Sequence, residues 1–189
     1  SGMPFCTQKD GVFAEQFHVN DADAQLALIP EGVSLDQAVM LGDMMTTGFH
    51  GAEMANVKLG STVAVFGIGP VGLMAVAGAY LMGAARILAV GSRPNAVKIA
   101  KEYGATDIID YHNGDSVSQI MDLTDGKGVD AAITAGGDVN TIGEAITVLQ
   151  PGGTLGNLNA MEHAESIPIP LGAWGAGLGN KTIKGDVCP

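Results

Sequence analysis

The chain has 189 residues, of which 47% are hydrophobic, and its 20 acidic and 9 basic residues give a formal net charge of −11. This negative charge argues against a general affinity for nucleic acid or for an anionic membrane surface. The two cysteines, Cys6 and Cys188, make no disulfide framework and no zinc cluster by themselves, and no signal peptide or membrane-spanning apolar run is visible, so we expect a cytoplasmic protein.

Residues 1–42 differ in pattern from the rest of the chain. Apolar and polar side chains alternate over residues 11–19, which predicts a strand, and residues 24–29 predict a second, short strand. Ser34 is then placed to cap a short helix, because Gln37 stands three residues later in the capping-box position. We treat these residues as a separate N-terminal part.

Helical and strand patterns alternate regularly after this part. The predicted helices cover residues 43–53, 70–82, 94–103, 116–123 and 139–149, and the predicted strands cover 62–66, 86–90, 107–109, 129–134, 153–158 and 181–187. The first of these strands, over 62–66, is β-branched and apolar, which is typical of a parallel strand buried on both faces. Six strands joined by right-handed helical crossovers predict an α/β fold with a doubly wound, six-stranded parallel sheet of the Rossmann type.

A glycine turn follows the first of these strands. Gly67-Ile68-Gly69-Pro70-Val71-Gly72 is a complete G-x-G-x-x-G between a strand and a helix. Gly67 allows the tight turn, Gly69 lets the backbone approach a pyrophosphate, and Gly72 lets the helix pack closely on the strand. The start of the helix offers free N–H groups to the phosphates. The motif predicts a dinucleotide site, the alternative being a structural turn without a nucleotide.

The end of the second strand indicates which dinucleotide is bound. An NAD site usually has Asp or Glu here, to accept a hydrogen bond from the ribose 2′-OH. This chain has Gly91-Ser92-Arg93 instead, in which a small residue leaves room, a hydroxyl donates, and a guanidinium can bind a 2′-phosphate. We therefore predict NADP(H). The alternative is that Arg93 is a solvated charge and that Ser92 caps the next helix.

Other candidate cofactor contacts lie at the ends of the later strands, because ligands of such sheets bind outside the carboxyl ends of the strands. Tyr111 can cover the adenine or the ribose, or it is an ordinary half-buried tyrosine. Ala135-Gly136-Gly137 has no bulky side chain and allows backbone to approach a ligand. Leu158 and Asn159 follow the fifth strand, and Asn159 either binds a carboxamide or ribose or satisfies local backbone.

Longer runs of this sequence resemble a known family. Gly60–Leu73, with Gly83-Ala84 and Gly104-Ala105 behind it, is similar to the zinc-containing medium-chain dehydrogenases. Within them, Asp43–Glu53 (DMMTTGFHGAE) and Val90–Pro94 (VGSRP) resemble the NADP-dependent secondary alcohol dehydrogenases. The likeness extends over nearly the whole chain.

This resemblance implies both a domain division and a set of site residues. It divides the chain into a remnant of a mostly β, GroES-like catalytic domain (residues 1–42) and an NADP-binding Rossmann domain (residues 43–189). In the family a Cys, a His and an Asp hold a catalytic zinc, and Asp43 matches the aspartate ligand, whereas Thr47 would lie near the nicotinamide. The implied pyrophosphate contacts are Ile68, Gly69, Pro70 and Val71, and the contacts to the 2′-phosphate and adenosine are Gly91, Ser92, Arg93 and Tyr111.

The resemblance also implies an activity. The parent enzyme would oxidise small secondary alcohols or reduce ketones with NADP(H) and zinc, and would form a homo-oligomer through an edge segment like Ser166–Pro170. The family's Cys ligand and its Gly-His-Glu motif lie upstream of the residues present, and His50 and Glu53 do not replace them. We therefore expect this chain to be the cofactor-binding portion and inactive alone. Two alternatives stay open: a non-catalytic NADP(H)-binding module, or a zinc-independent NADPH quinone or enone reductase.

Overall fold

The computed structural model describes residues 11–161 and 164–186, in which the chain forms two compact units that divide between Val39 and Met40. Cys6 and Cys188 lie outside the described residues. The assignment of residues 1–42 to a catalytic-domain remnant stays a prediction. Among the described residues, no helix is both long and apolar enough to cross a membrane.

The first unit contains two single-turn helices, α1 (Ala22–Gln25) and α2 (Leu35–Ala38). The two strands predicted over residues 11–19 and 24–29 are wrong, because the described residues of this unit contain no strand. Alternation favours a strand only where another strand's backbone is present to pair with it. The capping box is confirmed, since the Ser34 hydroxyl accepts from Gln37 N at 3.3 Å while Ser34 N donates to Gln37 Oε1 at 3.0 Å.

The second unit begins with helices and continues as alternating strands and helices. A π-helix (Leu41–Met45) leads directly into α3 (Thr46–Met54), where one helix over 43–53 was expected. The later helices are α4 (Pro70–Leu81), α5 (Pro94–Glu102), α6 (Ser116–Leu123) and α7 (Val139–Val148). The strands are β1 (Thr62–Phe66), β2 (Arg86–Val90), β3 (Asp107–Ile109), β4 (Val129–Thr134), β5 (Leu149–Asn157) and β6 (Thr182–Gly185).

The strands form one sheet in the order β3-β2-β1-β4-β5-β6, and every pair is parallel. This order confirms the predicted Rossmann-type sheet, and its switch in direction lies between β1 and β4. β5 starts four residues before the predicted 153, because Leu149 already pairs with Val129 ahead of a register shift. The carboxyl ends of all strands therefore meet at one edge.

Each face of the sheet packs against its own set of helices. Along β1, Val63 and Val65 belong to the cluster that contains side chains of α3, α4 and α5. Ala64 and Phe66 point to the other face and join the cluster formed with α6 and α7. A parallel sheet covered on both faces in this way is rigid, and it fixes the loops at its carboxyl edge.

Candidate functional site

A cleft of about 510 Å³ opens at the carboxyl edge of the sheet. It is lined by four segments that the sequence singled out: the turn from Gly67 to Gly69, the segment Gly91–Arg93, Tyr111, and the segment Ala135–Gly137. These segments follow β1, β2, β3 and β4, which are neighbours in the sheet. The structure thus brings together most of the predicted cofactor contacts, which the chain itself separates by many residues.

The glycine turn forms the floor of this cleft. Gly67 has a φ of +89°, and a Cβ there would stand 2.9 Å from the carbonyl oxygen of Ala135. A Cβ on Gly72 would overlap the carbonyl oxygen of Gly67, so only glycine allows α4 to lie this close to the turn. Gly69 is the N-cap residue of α4 and has no side chain to cap it. A Cβ built on Gly69 would have one neighbour within 4 Å outside its adjoining residues, Arg93 Nη2 at 3.8 Å. The turn is therefore open toward the cleft at the amino end of α4.

The segment after β2 supplies the basic group of the cleft. A Cβ on Gly91 would overlap Ile68, which explains why a small residue follows this strand. Arg93 itself is the N-cap residue of α5 and makes no side-chain cap, so the expectation that Ser92 caps the helix is wrong, whereas the alternative of Arg93 as a solvated charge stays open. Arg93 is exposed, and none of the acidic side chains in the described ranges forms an ion pair with it. Its guanidinium is available to a ligand.

Tyr111, which follows β3, and the segment Ala135–Gly137, which follows β4, also border the cleft. Tyr111 begins a 3₁₀ turn (Tyr111–Asn113), is 52% exposed, and contacts the His112 ring with centroids 4.5 Å apart. The backbone N–H of Ala135 donates to the carbonyl oxygen of Phe66 at 2.8 Å, which holds the end of β4 against β1. The cleft therefore has a flat aromatic group at β3 and bare backbone at β4.

The remaining predicted contacts lie outside the lining of this cleft. Pro70 lines a second depression of about 490 Å³, which Arg93 also borders. The carbonyl oxygen of Val71 lies next to Gly48 of α3, and the side chain of Leu158 packs against Gly51 of the same helix. Cofactor contacts at Pro70, Val71 and Leu158 stay predictions.

Asn159 is occupied by local backbone. Its side-chain amide donates to the carbonyl oxygen of Gly136 at 3.0 Å, and its own carbonyl accepts from Asn157 Nδ2 at 3.0 Å. Asn157 in turn accepts from the Thr134 hydroxyl at 2.7 Å. This network ties the loop after β5 to the loop after β4. A direct cofactor contact by Asn159 stays a prediction.

Three polar side chains line the cleft without having been predicted: Ser116, Thr141 and Glu144. Ser116 opens α6, and Thr141 and Glu144 lie in the first turns of α7. Ligands of such sheets bind at the carboxyl ends of the strands, and the first turns of the helices that follow those strands lie at the same edge. Applying this rule to the helix starts would have identified Ser116, Thr141 and Glu144 from the sequence.

The caps of these two helices are acidic. Asp115 accepts from Ser118 N at 2.7 Å, and this hydrogen bond, with a second from the Ser118 hydroxyl, lowers the pKa of Asp115. Asp138 accepts from Asn140 N at 2.8 Å at the start of α7. Burial, and after it the charges of Asp115 and Asp138, raises the pKa of Glu144.

The described residues do not fit a catalytic zinc. Asp43 lies in the π-helix, where its Oδ1 accepts from the Thr47 hydroxyl at 2.9 Å. His50 Nδ1 lies 3.5 Å from Glu53 Oε2, and its Nε2 lies 3.9 Å from Asp186 Oδ2. Within the described ranges, no three His, Cys, Asp or Glu side chains are grouped so that they could hold a metal ion. Catalytic zinc takes three protein ligands, so Asp43 alone is insufficient.

Comparison with known proteins gives a consistent result. The zinc-binding dehydrogenase family matches residues 70–188. The chain is 59% identical over its whole length to the NADP-dependent isopropanol dehydrogenase of Thermoanaerobacter brockii and 58% identical to that of Entamoeba histolytica, covering 54% and 51% of those proteins. The apo form of zinc-dependent alcohol dehydrogenase 2 from Streptococcus pneumonia superimposes with a TM-score of 0.81 at 29% identity, over 91% of this chain and 48% of that one. The chain thus spans about half the length of these relatives.

Proposed function

Since the chain belongs to the zinc-binding dehydrogenase family, we propose that it is the cofactor-binding portion of an NADP-dependent secondary alcohol dehydrogenase. The observation that carries this proposal is the pairing of the open glycine turn with Arg93 in one cleft. The first feature fits a pyrophosphate, and the second fits a phosphate on the adenosine ribose. No carboxylate stands at Gly91-Ser92-Arg93, where it would repel that phosphate.

The residues of the cleft have separate tasks in this function. The N–H groups at the start of α4 bind the pyrophosphate, and the bare backbone of Gly67 and Gly69 allows its approach. Arg93 and Ser92 bind the 2′-phosphate, and Tyr111 covers the adenosine. NADP⁺, when bound, supplies the acceptor for a hydride from the alcohol carbon. Thr47 is proposed to lie near the nicotinamide.

The zinc of the family requires ligands beyond those in the described residues. Asp43 is proposed as one ligand, on the strength of its motif in the resemblance. Because one carboxylate cannot hold catalytic zinc, we expect this chain to bind NADP(H) without turning over an alcohol. The names of the relatives from T. brockii and E. histolytica support isopropanol, or a similar small secondary alcohol, as substrate of the whole enzyme. Homo-oligomerisation and a cytoplasmic location stay predictions.

The test of this function is a binding titration followed by an activity assay. NADPH fluorescence is titrated with the chain, with NADH as the matched control lacking the 2′-phosphate. Reduction of NADP⁺ by 2-propanol is then measured with and without added zinc. Preferential binding of NADPH without turnover supports the proposal. An equal affinity for the two cofactors, or no binding of either, would overturn it, and metal-free reduction of a quinone by NADPH would favour the reductase alternative.

A further inference from the structure

Glu144 is an acidic side chain in a cleft that the proposed function assigns to an anionic ligand. It lies one helical turn beyond Thr141 in α7, and both residues line the cleft. Arg93 follows β2 and α7 follows β4, and these two strands flank β1 in the sheet. Glu144 and Arg93 therefore belong to elements on the two sides of the glycine turn.

The carboxylate of Glu144 has no structural task of its own. In residues 11–161 and 164–186 no group donates a hydrogen bond to it or forms an ion pair with it. It is partly buried, and its charged neighbours, Asp115 and Asp138, are acids that already cap α6 and α7. A partly desolvated carboxylate without a partner is unfavourable. A ligand that offers a hydrogen-bond donor would satisfy it.

The chemistry of a dinucleotide limits which of its groups can be this donor. A carboxylate repels the pyrophosphate and the 2′-phosphate, which the glycine turn and Arg93 attract instead. The ribose next to Arg93 leads to the base. Beyond Ser92 and Arg93, the polar side chains that line the cleft are Tyr111, Ser116, Thr141 and Glu144, and Glu144 is the one that carries a carboxylate. Adenine presents a 6-amino donor on the edge away from the ribose, and a carboxylate accepts well from such a group.

We propose that Glu144 is a specificity-determining residue that recognises adenine, by accepting a hydrogen bond from the 6-amino group of the bound dinucleotide. This inference rests on the proposed function, because it places the adenosine of NADP(H) in the cleft. A carboxyl group that holds a proton can also donate to N1 of the same base, and the raised pKa of Glu144 favours that second hydrogen bond as the pH falls.

The test compares NADPH with its purine analogue, in which a hydrogen atom replaces the 6-amino group and no new donor is introduced. Both are titrated by fluorescence at mildly alkaline pH. We expect the chain to bind NADPH about tenfold more tightly, since the analogue cannot donate this hydrogen bond to the charged Glu144 carboxylate. Glu144→Ala should remove this preference. Glu144→Gln should retain most of it, because a carboxamide also accepts from the amino group.

A matched control separates a contact from a general charge effect. Asp138→Asn removes one negative charge from the start of the same helix and keeps the capping geometry, and Asp138 is not itself among the residues that line the cleft. It should leave the preference for adenine unchanged. Equal affinity of the unmodified chain for both cofactors, or a preference that survives in Glu144→Ala, would overturn the inference while leaving the proposed function standing. Failure of every variant to bind NADPH would overturn both.

Discussion

Arg93 provides the sharpest test of the cofactor assignment. Replacing Arg93 with Ala removes a guanidinium that borders the glycine turn, with its Nη2 atom 3.8 Å from the Cβ position of Gly69. Hydrogen bonds to charged groups contribute about 1.5–3 kcal/mol, which corresponds to roughly 10- to 150-fold in the dissociation constant. Because Arg93 is exposed, solvent screens its charge, and we expect the loss of binding free energy for NADPH to fall in the lower half of this range.

The fold should tolerate this substitution. Arg93 makes no side-chain cap to α5, and within the described residues it forms no ion pair. The loss of affinity can therefore be attributed to the ligand contact. Arg93→Lys keeps the charge but not the paired donors, and should give an intermediate loss.

The assay is a fluorescence titration with NADPH and, in parallel, with NADH. Lys98→Ala is the matched control, because Lys98 is on the same helix, is highly exposed, and lies 4.0 Å from Glu102 rather than in the cleft. We expect Lys98→Ala to leave both affinities unchanged. The loss in Arg93→Ala should also shrink as ionic strength rises. Equal losses for NADPH and NADH would refute the assignment of Arg93 to the 2′-phosphate.

Three further substitutions test the packing, ion pairing and capping of the second unit. Gly72→Ala should destabilise the fold by several kcal/mol in urea unfolding, because its Cβ overlaps backbone, whereas Gly42→Ala, which meets nothing within 4 Å, should be close to neutral. The Arg86 guanidinium donates a hydrogen bond to Asp107 and lowers the pKa of that carboxyl. The ionised Asp107 therefore stabilises the fold above its ordinary pKa of 3.8, and this stabilisation is lost as the pH falls below that value. The difference in unfolding free energy between the unmodified chain and Asp107→Asn should therefore disappear on acidification. Asp138→Ala should cost about 1 kcal/mol by loss of a cap, and Asp138→Asn much less, which thermal unfolding would check.

Four strands of the parallel sheet, β1 to β4, could be predicted residue by residue, whereas the bounds of β5 and β6 differ from the prediction. The strands predicted over 62–66, 86–90 and 107–109 have those bounds in the structure. In the first two, the four residues after the first are buried, as expected for apolar strands inside a parallel sheet. The predictions over 11–19 and 24–29 failed because alternation does not specify a partner strand.

The cleft was predictable only where its residues belong to a local motif. The glycine turn and Arg93 each follow a strand directly, so their position was determined by the sheet. Ser116, Thr141 and Glu144 enter the same cleft from two helices, and which turn of a helix faces a cleft depends on helix packing. That packing is a tertiary property, which periodicity within one helix does not specify.

The distribution of charge at the helix starts explains how a chain with a net charge of −11 can favour a phosphorylated ligand at one place. α4 and α5 have no acidic residue in their first turns, and their N-cap residues are Gly69 and Arg93. α6 and α7 are capped by Asp115 and Asp138, whose carboxylates occupy the positive ends of those helices. Phosphate groups are therefore attracted to α4 and α5 and repelled from α6 and α7. This asymmetry favours one orientation of a dinucleotide, with its phosphates at the glycine turn and Arg93 and its uncharged base toward Glu144.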